Sequence, residues 1–394
     1  MRILHVIGSL DQRSGGPLRA LLDLSAQGRE HGIDSHVLGF GQIRIDDNPL
    51  PSGSLHNLPI VFPKSYAYSR ELRTWLGAHL PSYDGVVIHG MWFYPGWAVA
   101  RACLSLGIPY ACFPHGMIEP WSVFRQGWIK AIKKSVYWHW RERSVFQRAE
   151  CLFFTTRREM EFAGTTFHLG GTGCIVIPYG IHPSRRRVEA PEHADLLQPP
   201  GTKICLFLGR VHPHKNLEFL LTAWAEAHPP ADWRLLVAGP GDSPYLRRLE
   251  RLIIRKHLQS QVLFLGQVTG ADKAYLLQRA SWFVLPSQHE NFGVAVLEAI
   301  GNGCPVVVSN QVYLSDNFHP RSEILPLRLD DWVRFFRERM ADQAHRDELV
   351  ELDQKFLLPI FEIDAVARAW ASTLANVFSR ERAIEHSQGS GRCN

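Results

Sequence analysis

Residues 282–301 read WFVLPSQHENFGVAVLEAIG: an apolar run of strand length, a polar loop, and an apolar segment with helical spacing. The same order recurs along the chain, where short apolar runs alternate with longer segments of helical period. This alternation is typical of parallel βαβ architecture. We therefore predict an α/β fold with two consecutive doubly wound, Rossmann-like parallel sheets.

The alternation is interrupted near the middle of the chain. Turn-forming residues and a run of arginines lie between about 178 and 201. We predict an N-terminal domain over residues 1–190 and a C-terminal domain over 191–360. A helical pattern at about 361–380 is expected to pack back on the N-terminal domain, and residues 381–394 to form a flexible tail. Ligands of such sheets bind beyond the carboxyl ends of the strands, so we expect a central cleft between the domains.

Composition excludes several classes of protein. The chain has 394 residues, 45% of them hydrophobic and 21% charged, which is ordinary for a globular protein. Its formal charge of +5 is too small to argue for nucleic-acid binding. The seven cysteines show no metal-ligand spacing and several lie in apolar runs, so we expect buried thiols in a reducing compartment. We find neither a membrane-spanning run nor a signal peptide, and expect a cytoplasmic protein that could lie on a membrane surface.

Two carboxylates mark the quoted stretch, Glu290 in its loop and Glu298 in its helical part. The start of the helix offers backbone N–H groups and a positive dipole end that suit a phosphate. Glu298 has apolar neighbours in sequence, where a charged group usually needs a partner. The alternative is that Glu290 is a carboxylate favoured by the dipole and Glu298 a solvated helical residue.

Two further loops carry candidate ligand-binding residues. Arg210 follows Gly209 at the end of an apolar run, and Lys215 comes five positions later, before a helical segment. Two cations in one strand-to-helix loop can neutralise a diphosphate, although they could also be solvated loop residues. Gly15 and Gly16 allow close backbone approach after the first strand. Neither GxGxxG nor GxxxxGK[ST] occurs, which disfavours ordinary dinucleotide and P-loop sites.

Together these clusters resemble glycosyltransferase family 4, retaining transferases with the GT-B fold and nucleotide-sugar donors. The resemblance covers the chain from Met1 to about Ser309 and is most specific in the E-x7-E element of Glu290 and Glu298. It implies transfer of a sugar from a nucleotide-diphosphate sugar to a saccharide acceptor, lipid-linked and used in polysaccharide assembly. It also implies that no cofactor or metal is needed, because cationic side chains and helix dipoles would take the metal's place.

The resemblance also implies residue roles. Arg210 and Lys215 would hold the donor diphosphate. Glu298 would hydrogen-bond the ribose, and Glu290 would bind hydroxyls of the donor sugar. Four backbone amides would contact sugar and phosphate, those of Asn291, Phe292, Gly293 and Val294. Gly15 and Gly16 would close the cleft from the N-terminal domain, which would bind the acceptor while the C-terminal domain binds the donor.

Two histidines complete the prediction. The segment from Phe113 to Met117 contains His115-Gly116 and is similar to the His-Gly-Met element of family members that build surface polysaccharides. This similarity implies that His115 lies beside the donor sugar at the reacting centre. A lone histidine is more often structural, so the catalytic assignment of His115 depends on this resemblance. His89 also ends a predicted strand and is a candidate for acceptor contact.

The mechanism implied by the family retains the anomeric configuration, with the leaving phosphate accepting the acceptor's proton. Glu290 would then position and stabilise, unlike the paired carboxylates of glycosidases. Two alternatives remain: a noncatalytic nucleotide-sugar-binding subunit of a membrane assembly, and a nucleotide-sugar epimerase. The complete set of charged residues disfavours the first.

The segment 121–148 is strongly basic and interleaved with tryptophans. Such a helix could lie on anionic lipid, as a lipid-linked acceptor would require, and family members often have a basic stretch here. The alternative is a solvated cationic face with the aromatic residues in the core.

The sequence departs from the family pattern at two places. Asn216 stands where glycine is common after the lysine, and the segment 310–316 lacks a glycine-rich turn.

Overall fold

The computed structural model describes residues 1–11, 16–45, 48–62, 64–124, 127–183, 188–189 and 201–379. These residues form two compact units. The first comprises Met1–Gly180 together with the chain from Ile363 onward, and the second comprises Ile181–Glu362. The first unit thus ends ten residues before the domain boundary that the sequence suggested.

The first unit contains a seven-stranded parallel sheet in the order β3-β2-β1-β4-β5-β6-β7. Its strands are short and mostly buried on both faces, as parallel strands covered by helices usually are. They are β1 Arg2–Ile7, β2 Asp34–Phe40, β3 Leu55–Leu58, β4 Gly85–His89, β5 Tyr110–Phe113, β6 Cys151–Phe154 and β7 Gly173–Val176. The α-helices described in this unit are Gly16–Gly28, Leu72–His79, Tyr94–Leu106, Pro120–Phe124, Trp128–Tyr137, Arg143–Gln147, Arg157–Thr166 and Ile363–Val377.

The second unit contains a six-stranded parallel sheet in the order β10-β9-β8-β11-β12-β13. Its strands are β8 Lys203–Leu208, β9 Trp233–Ala238, β10 Val262–Gly266, β11 Trp282–Leu285, β12 Val306–Ser309 and β13 Glu323–Leu325. The described α-helices are Leu217–Ala227, Ser243–Arg255, Gly270–Arg279, Val294–Gly301, Leu329–Arg334 and Gln343–Phe361. Both sheets have the Rossmann strand order, in which the order reverses beside the first strand.

The helix Ile363–Val377 packs on the sheet of the first unit. Its Trp370 is 1% exposed, and its ring meets that of Phe153 on β6 edge-on at 4.8 Å between centroids. Gly180 lies against the start of this helix, because a Cβ there would be 2.8 Å from the Cα of Ile363. The chain after the second unit thus helps to form the core of the first.

Several predicted elements differ from those observed. The helical pattern of the basic segment predicts one long helix at about 127–147. The chain is helical over residues 128–147, but residues 138–142 wind as a π-helix that buries Trp138 and Glu142. Six observed elements were not predicted from the sequence. These are β3, β13, and the helices Leu72–His79, Pro120–Phe124, Arg157–Thr166 and Gln343–Phe361.

The cysteines follow the prediction except at one position. Cys103, Cys112, Cys151, Cys205 and Cys304 are buried. Cys174 is exposed, because it lies on β7 at the edge of its sheet. Cys393 lies outside the described residues. Within the described ranges, no helix is both long enough and apolar enough to cross a membrane.

A glycine allows two strand ends of the second sheet to meet. Gly239 follows β9 with φ +141°, and a Cβ at this position would lie 1.9 Å from the carbonyl oxygen of Gly209, which follows β8. Val211 donates its backbone N–H to the carbonyl of Pro240 at 2.7 Å and extends this contact. The course of the backbone through Gly209 and Arg210 therefore depends on the missing side chain at 239.

We expect Gly239→Ala to lower the free energy of unfolding by about 2 kcal/mol or more, because a methyl group there meets a backbone atom and the φ is unfavourable. Chemical denaturation measures the change. Gly164→Ala is the control, since this helical glycine has open space around its Cβ position. A Gly239→Ala variant as stable as the control would show that the backbone at Gly209 and Arg210 does not depend on the missing side chain at 239.

A buried carboxyl group holds the loop between β4 and the next helix. Glu142 is 2% exposed and accepts a hydrogen bond from the backbone N–H of Trp92 at 2.8 Å. Trp92 has φ +72°, a left-handed conformation that is rare for a bulky residue. Burial raises the pKa of Glu142 to about 7, which the hydrogen bond from Trp92 only partly offsets. The folded state therefore binds this proton more tightly than the unfolded chain does.

This pKa shift predicts that the Glu142 carboxyl destabilises the fold increasingly as the pH rises from about 4.5 to about 7. Glu142→Gln keeps an acceptor for Trp92 and has no charge to bury. It should raise the free energy of unfolding by about 1–3 kcal/mol at pH 8 and change it little at pH 4.5. Urea denaturation at the two pH values tests this, and an equal effect at both would contradict it.

Candidate functional site

The charged residues predicted from the sequence come together in the second unit, in the loops that follow β8 and β11. These strands are neighbours at the point where the strand order reverses, so their loops leave the sheet side by side. Lys215 and Glu290 form an ion pair there, and their side chains are 13% and 18% exposed. Two of the predicted catalytic residues are thus in direct contact, although 75 positions separate them in sequence.

The same two loops are joined by further hydrogen bonds. The backbone N–H of Gln288 donates to the carbonyl of His214 at 2.8 Å, and its side-chain amide donates to Oδ1 of Asn216 at 3.2 Å. Asn216 has φ +62°, in the left-handed region that glycine adopts most easily and asparagine tolerates better than most residues. The departure from glycine at this position therefore preserves the turn and adds a contact to the neighbouring loop.

The segment 310–316 supports Glu290 through the backbone. Glu290 donates its N–H to the carbonyl of Gln311 at 3.0 Å, and its own carbonyl accepts from the N–H of Tyr313 at 3.0 Å. A one-turn 3₁₀-helix follows at Tyr313–Asn317. This segment lacks the expected glycine-rich turn, and in the structure it fixes the position of the Glu290 backbone.

The electrostatics of this loop cluster favour an anion. Arg210 is exposed, and Lys215 is half-buried beside it. Burial first, and the charge of Arg210 second, lower the pKa of Lys215, while contact with the Glu290 carboxylate favours its charged form. Burial also lowers the pKa of His214 to about 3 and that of His289 to about 4, so both rings are neutral at pH 7.

The helix that carries Glu298 begins at Val294. Gly293 before it has φ +91°, which the regular helix cannot include. The ring of Phe292 is 2% exposed and meets Phe361 at 5.8 Å, so only its backbone can serve the predicted substrate contact. The backbone amides at 291–294 lie at the start of the helix, as expected.

Glu298 has a partner that the sequence analysis missed. Its Oε1 accepts a hydrogen bond from Nζ of Lys273 at 2.7 Å, and the two side chains are 23% and 31% exposed. Lys273 lies on the helix Gly270–Arg279, and no motif marks it among the other surface cations. A carboxylate has further lone pairs, so this contact leaves Glu298 able to accept from a ligand hydroxyl.

In the first unit, His115 occupies a tight turn after β5. His115 and Gly116 have φ values of +52° and +75°, and the N–H of Met117 donates to the carbonyl of Pro114 at 3.1 Å. Two positive φ values in succession are typical of a type I′ turn. Glu159 holds this turn, because its Oε1 accepts the N–H of Gly116 at 2.5 Å. Glu159 is fully buried, and the sequence analysis missed it.

Both ring nitrogens of His115 and of His89 are hydrogen-bonded within the unit. His89 Nδ1 lies 2.9 Å from His115 Nε2, and His89 Nε2 lies 2.9 Å from His5 Nδ1. The hydroxyl of Tyr179 lies 2.5 Å from His115 Nδ1. His89 is only 4% exposed. This arrangement argues against the predicted acceptor contact of His89, because neither of its nitrogens is presented to a substrate.

The remaining predicted residues are only partly described. Gly16 begins the first helix of the unit, whereas Gly15 and Arg125 lie outside the described residues.

In the basic segment, the helix Trp128–Tyr137 buries none of its residues. Six apolar side chains, which we call the 124–140 face, are between 46% and 73% exposed: Phe124, Trp128, Ile129, Ile132, Val136 and Trp140. The aromatic residues of this segment are therefore divided, since Trp138 is buried and Trp128 is not.

Both units of the chain match known proteins. Residues 15–180 match the family described as glycosyl transferase 4-like domain, and residues 189–317 match glycosyl transferases group 1. HepE of Anabaena, whose crystal structure contains UDP and glucose, has a similar fold. It aligns with a TM-score of 0.76 and 16% identity over 95% of this chain and all of that one. This is the predicted GT-B fold.

Two curated relatives extend the comparison. Alpha-monoglucosyldiacylglycerol synthase of Streptococcus pneumoniae is 31% identical over 36% of this chain and 33% of its own length. GDP-mannose:cellobiosyl-diphosphopolyprenol alpha-mannosyltransferase of Xanthomonas oryzae is 23% identical over 79% of both chains. Several other curated relatives match over only about a quarter to a third of their length. With both of its units matched, the chain belongs to glycosyltransferase family 4.

Proposed function

We propose that this chain is a retaining glycosyltransferase that moves a sugar from a nucleotide-diphosphate sugar to a lipid-linked saccharide acceptor in polysaccharide assembly. The second unit binds the donor and the first unit binds the acceptor. The observation that carries the proposal is the loop cluster after β8 and β11. There the Lys215–Glu290 ion pair, exposed Arg210 and a helix start meet at the switch point of the sheet.

The cluster has the chemistry that a diphosphate leaving group requires. The ammonium of Lys215 has three N–H donors, so binding Glu290 leaves donors for a phosphate oxygen. Arg210 adds a planar guanidinium suited to the same anion. The backbone N–H groups at the start of the helix Val294–Gly301 add partial positive charge. These groups stabilise the charge that develops on the departing phosphate, so the reaction as proposed needs no cofactor.

The proposed reaction proceeds on one face of the donor sugar. The bond between the anomeric carbon and the phosphate oxygen breaks, and a bond from that carbon to the acceptor oxygen forms on the same side. The acceptor's proton passes to the departing phosphate oxygen, so no carboxylate base is required. Glu290 then orients sugar hydroxyls, and Glu298 holds the ribose. His115 contacts the donor sugar by exchanging its hydrogen bond with Tyr179 for one to a sugar hydroxyl.

Two of the relatives support an acceptor at a lipid surface. One is named for a synthase of a glucosyl lipid and another for transfer to a diphosphopolyprenol. The 124–140 face offers a means of approach to such a surface, because its exposed apolar side chains are flanked by exposed Lys130 and Lys133. A basic helix with interfacial tryptophans binds anionic bilayers in this manner.

Donor binding and turnover test the proposed reaction. The protein is titrated with UDP-, GDP- and ADP-sugars by calorimetry, and transfer from the selected donor to a lipid-linked oligosaccharide is then measured. Lys215→Ala should reduce the rate about 100-fold, because it removes a charge that acts on the leaving group. Lys256→Ala, which breaks an ion pair with Glu226 elsewhere in the unit, is the control.

A selective donor and a rate loss confined to Lys215→Ala are the expected results. Lys215→Ala with near-normal turnover would refute the role in leaving-group stabilisation. A protein that binds donors but transfers to no acceptor would instead be a noncatalytic binding subunit. Epimerised donor in the absence of any acceptor would identify an epimerase.

Vesicle cosedimentation tests the membrane contact. Reversing two charges with Lys130→Glu/Lys133→Glu should weaken binding to vesicles containing phosphatidylglycerol about 10-fold or more, since each basic residue contributes about 1 kcal/mol near such a surface. Arg247→Glu/Arg251→Glu, on the exposed side of a helix in the second unit, is the matched control. Equal effects of the two pairs would leave the 124–140 face without a lipid-binding role.

A further inference from the structure

Four side chains form a hydrogen-bonded column in the first unit: His5, His89, His115 and Tyr179. We infer that His89, with His5 behind it, is a positioning residue that holds the His115 ring in the tautomer with its hydrogen on Nδ1. The inference rests on the proposed function in one respect, namely that His115 contacts substrate.

The column begins in the interior and ends at the edge of the sheet. His5 lies in the middle of β1 and is fully buried, and His89 ends the neighbouring β4. His115 follows β5, the next strand, and is half-buried. The column therefore crosses from β1 to β4, where the strand order reverses, and reaches the carboxyl end of the sheet, where ligands of such folds bind.

Ring stacking restricts the orientation of His115. Its ring lies parallel to that of Phe113, with centroids 4.2 Å apart and an interplanar angle of 20°. The ring of His89 is also nearly parallel, at 5.1 Å and 12°. With a hydrogen bond on each nitrogen as well, rotation of the His115 ring would break two hydrogen bonds and a stack.

All three imidazoles are neutral at physiological pH. Burial lowers the pKa of His5 and of His115 to about 3, and it lowers that of His89 well below its usual range. The charges of His115 and His5 would further oppose protonation of His89. Each neutral ring carries one N–H and one lone pair, so the direction of every hydrogen bond in the column is linked to the next.

The hydrogen bonds of the column can run in either of two directions. The two differ in whether Nε2 of His5, at the buried end, carries a hydrogen. If Tyr179 donates to His115, each ring donates inward and His5 carries a hydrogen on Nε2. In the opposite direction, His5 and His89 donate outward, His115 donates from Nδ1 to Tyr179, and His5 Nε2 has a bare lone pair. His5 Nε2 meets no hydrogen-bond partner among the described residues.

The outward direction is favoured because a buried N–H without an acceptor is rarer and more costly than an under-satisfied acceptor. His115 therefore presents an N–H at Nδ1, on the side of Tyr179, and its lone pair faces His89. This N–H donates to the Tyr179 hydroxyl in the structure. A sugar hydroxyl that replaced Tyr179 at Nδ1 could accept the same hydrogen, but it could not lose a proton to this nitrogen. His89 determines which nitrogen of His115 carries the hydrogen, because it donates its own N–H to Nε2 of His115.

Nitrogen-15 NMR of histidine-labelled full-length protein reads the tautomer directly, without any activity. The His115 resonances are assigned by their loss in His115→Gln. In the wild type at pH 7.5 we expect the hydrogen on Nδ1. His89→Asn can still donate toward His115 Nε2 and should keep this tautomer. His89→Asp, whose side chain has the same shape as that of Asn, presents an acceptor to His115. It should therefore move the His115 hydrogen to Nε2 or protonate the His115 ring.

A wild-type His115 with its hydrogen on Nε2 overturns the inference, and so do identical His115 spectra in His89→Asn and His89→Asp. His5→Leu, similar in volume, should lower kcat several-fold and leave the calorimetric affinity for the donor unchanged. His36→Leu is the control, because His36 is a buried histidine on the neighbouring β2 that is bonded to His56 at 3.1 Å. Unchanged kcat in His5→Leu would exclude His5 from the positioning role.

The proposed transfer reaction and the inferred His115 tautomer can be refuted separately. A wild type that transfers no sugar would refute the proposed function, while the NMR experiment would still decide the tautomer. Normal transfer with the wrong tautomer would refute the inference alone. Melting temperatures of the variants show whether each one is folded.

Discussion

The reversal of strand order beside β1 and beside β8 is the constraint on which both candidate sites depend. Crossover helices to the left and right of these strands pack on opposite faces of the sheet, so the loops between them diverge and leave strand ends uncovered. In the first unit, His89 lies at the end of β4 beside β1, and His115 follows the next strand, β5. In the second unit, the loops after β8 and β11 contain Lys215 and Glu290. Residues distant in sequence become neighbours for this topological reason.

Three of the six residues other than glycine that have positive φ in the described part of the chain lie in loops at these strand ends. His115, Trp92 and Asn216 have positive φ values without being glycine, and each such residue costs about 1–3 kcal/mol. Buried carboxylates hold the first two, since Glu159 binds the turn of His115 and Glu142 binds Trp92. The surrounding fold thus stabilises the unusual backbone at these loops.

The two units use opposite electrostatics. In the second unit, charged side chains form pairs, Lys215 with Glu290 and Lys273 with Glu298, that are only partly buried and can exchange one contact for a ligand. In the first unit, burial keeps a column of histidines neutral. The rings therefore influence one another through the direction of their hydrogen bonds and not through charge. A charged cluster suits a diphosphate, whereas a neutral donor suits a sugar hydroxyl.

The sequence by itself determined the fold class, the family and the charged loop residues, because hydrophobic periodicity and the spacing of Glu290, Glu298, Arg210 and Lys215 are local properties of the chain. It placed His89 and His115 at strand ends but assigned His89 to the acceptor. Only the tertiary structure decided that His89 bonds His5 and His115, that Lys273 pairs with Glu298, and that Tyr179 belongs to the first unit. These contacts join segments 25 to 84 positions apart, and no local pattern encodes the direction in which a side chain meets its partner.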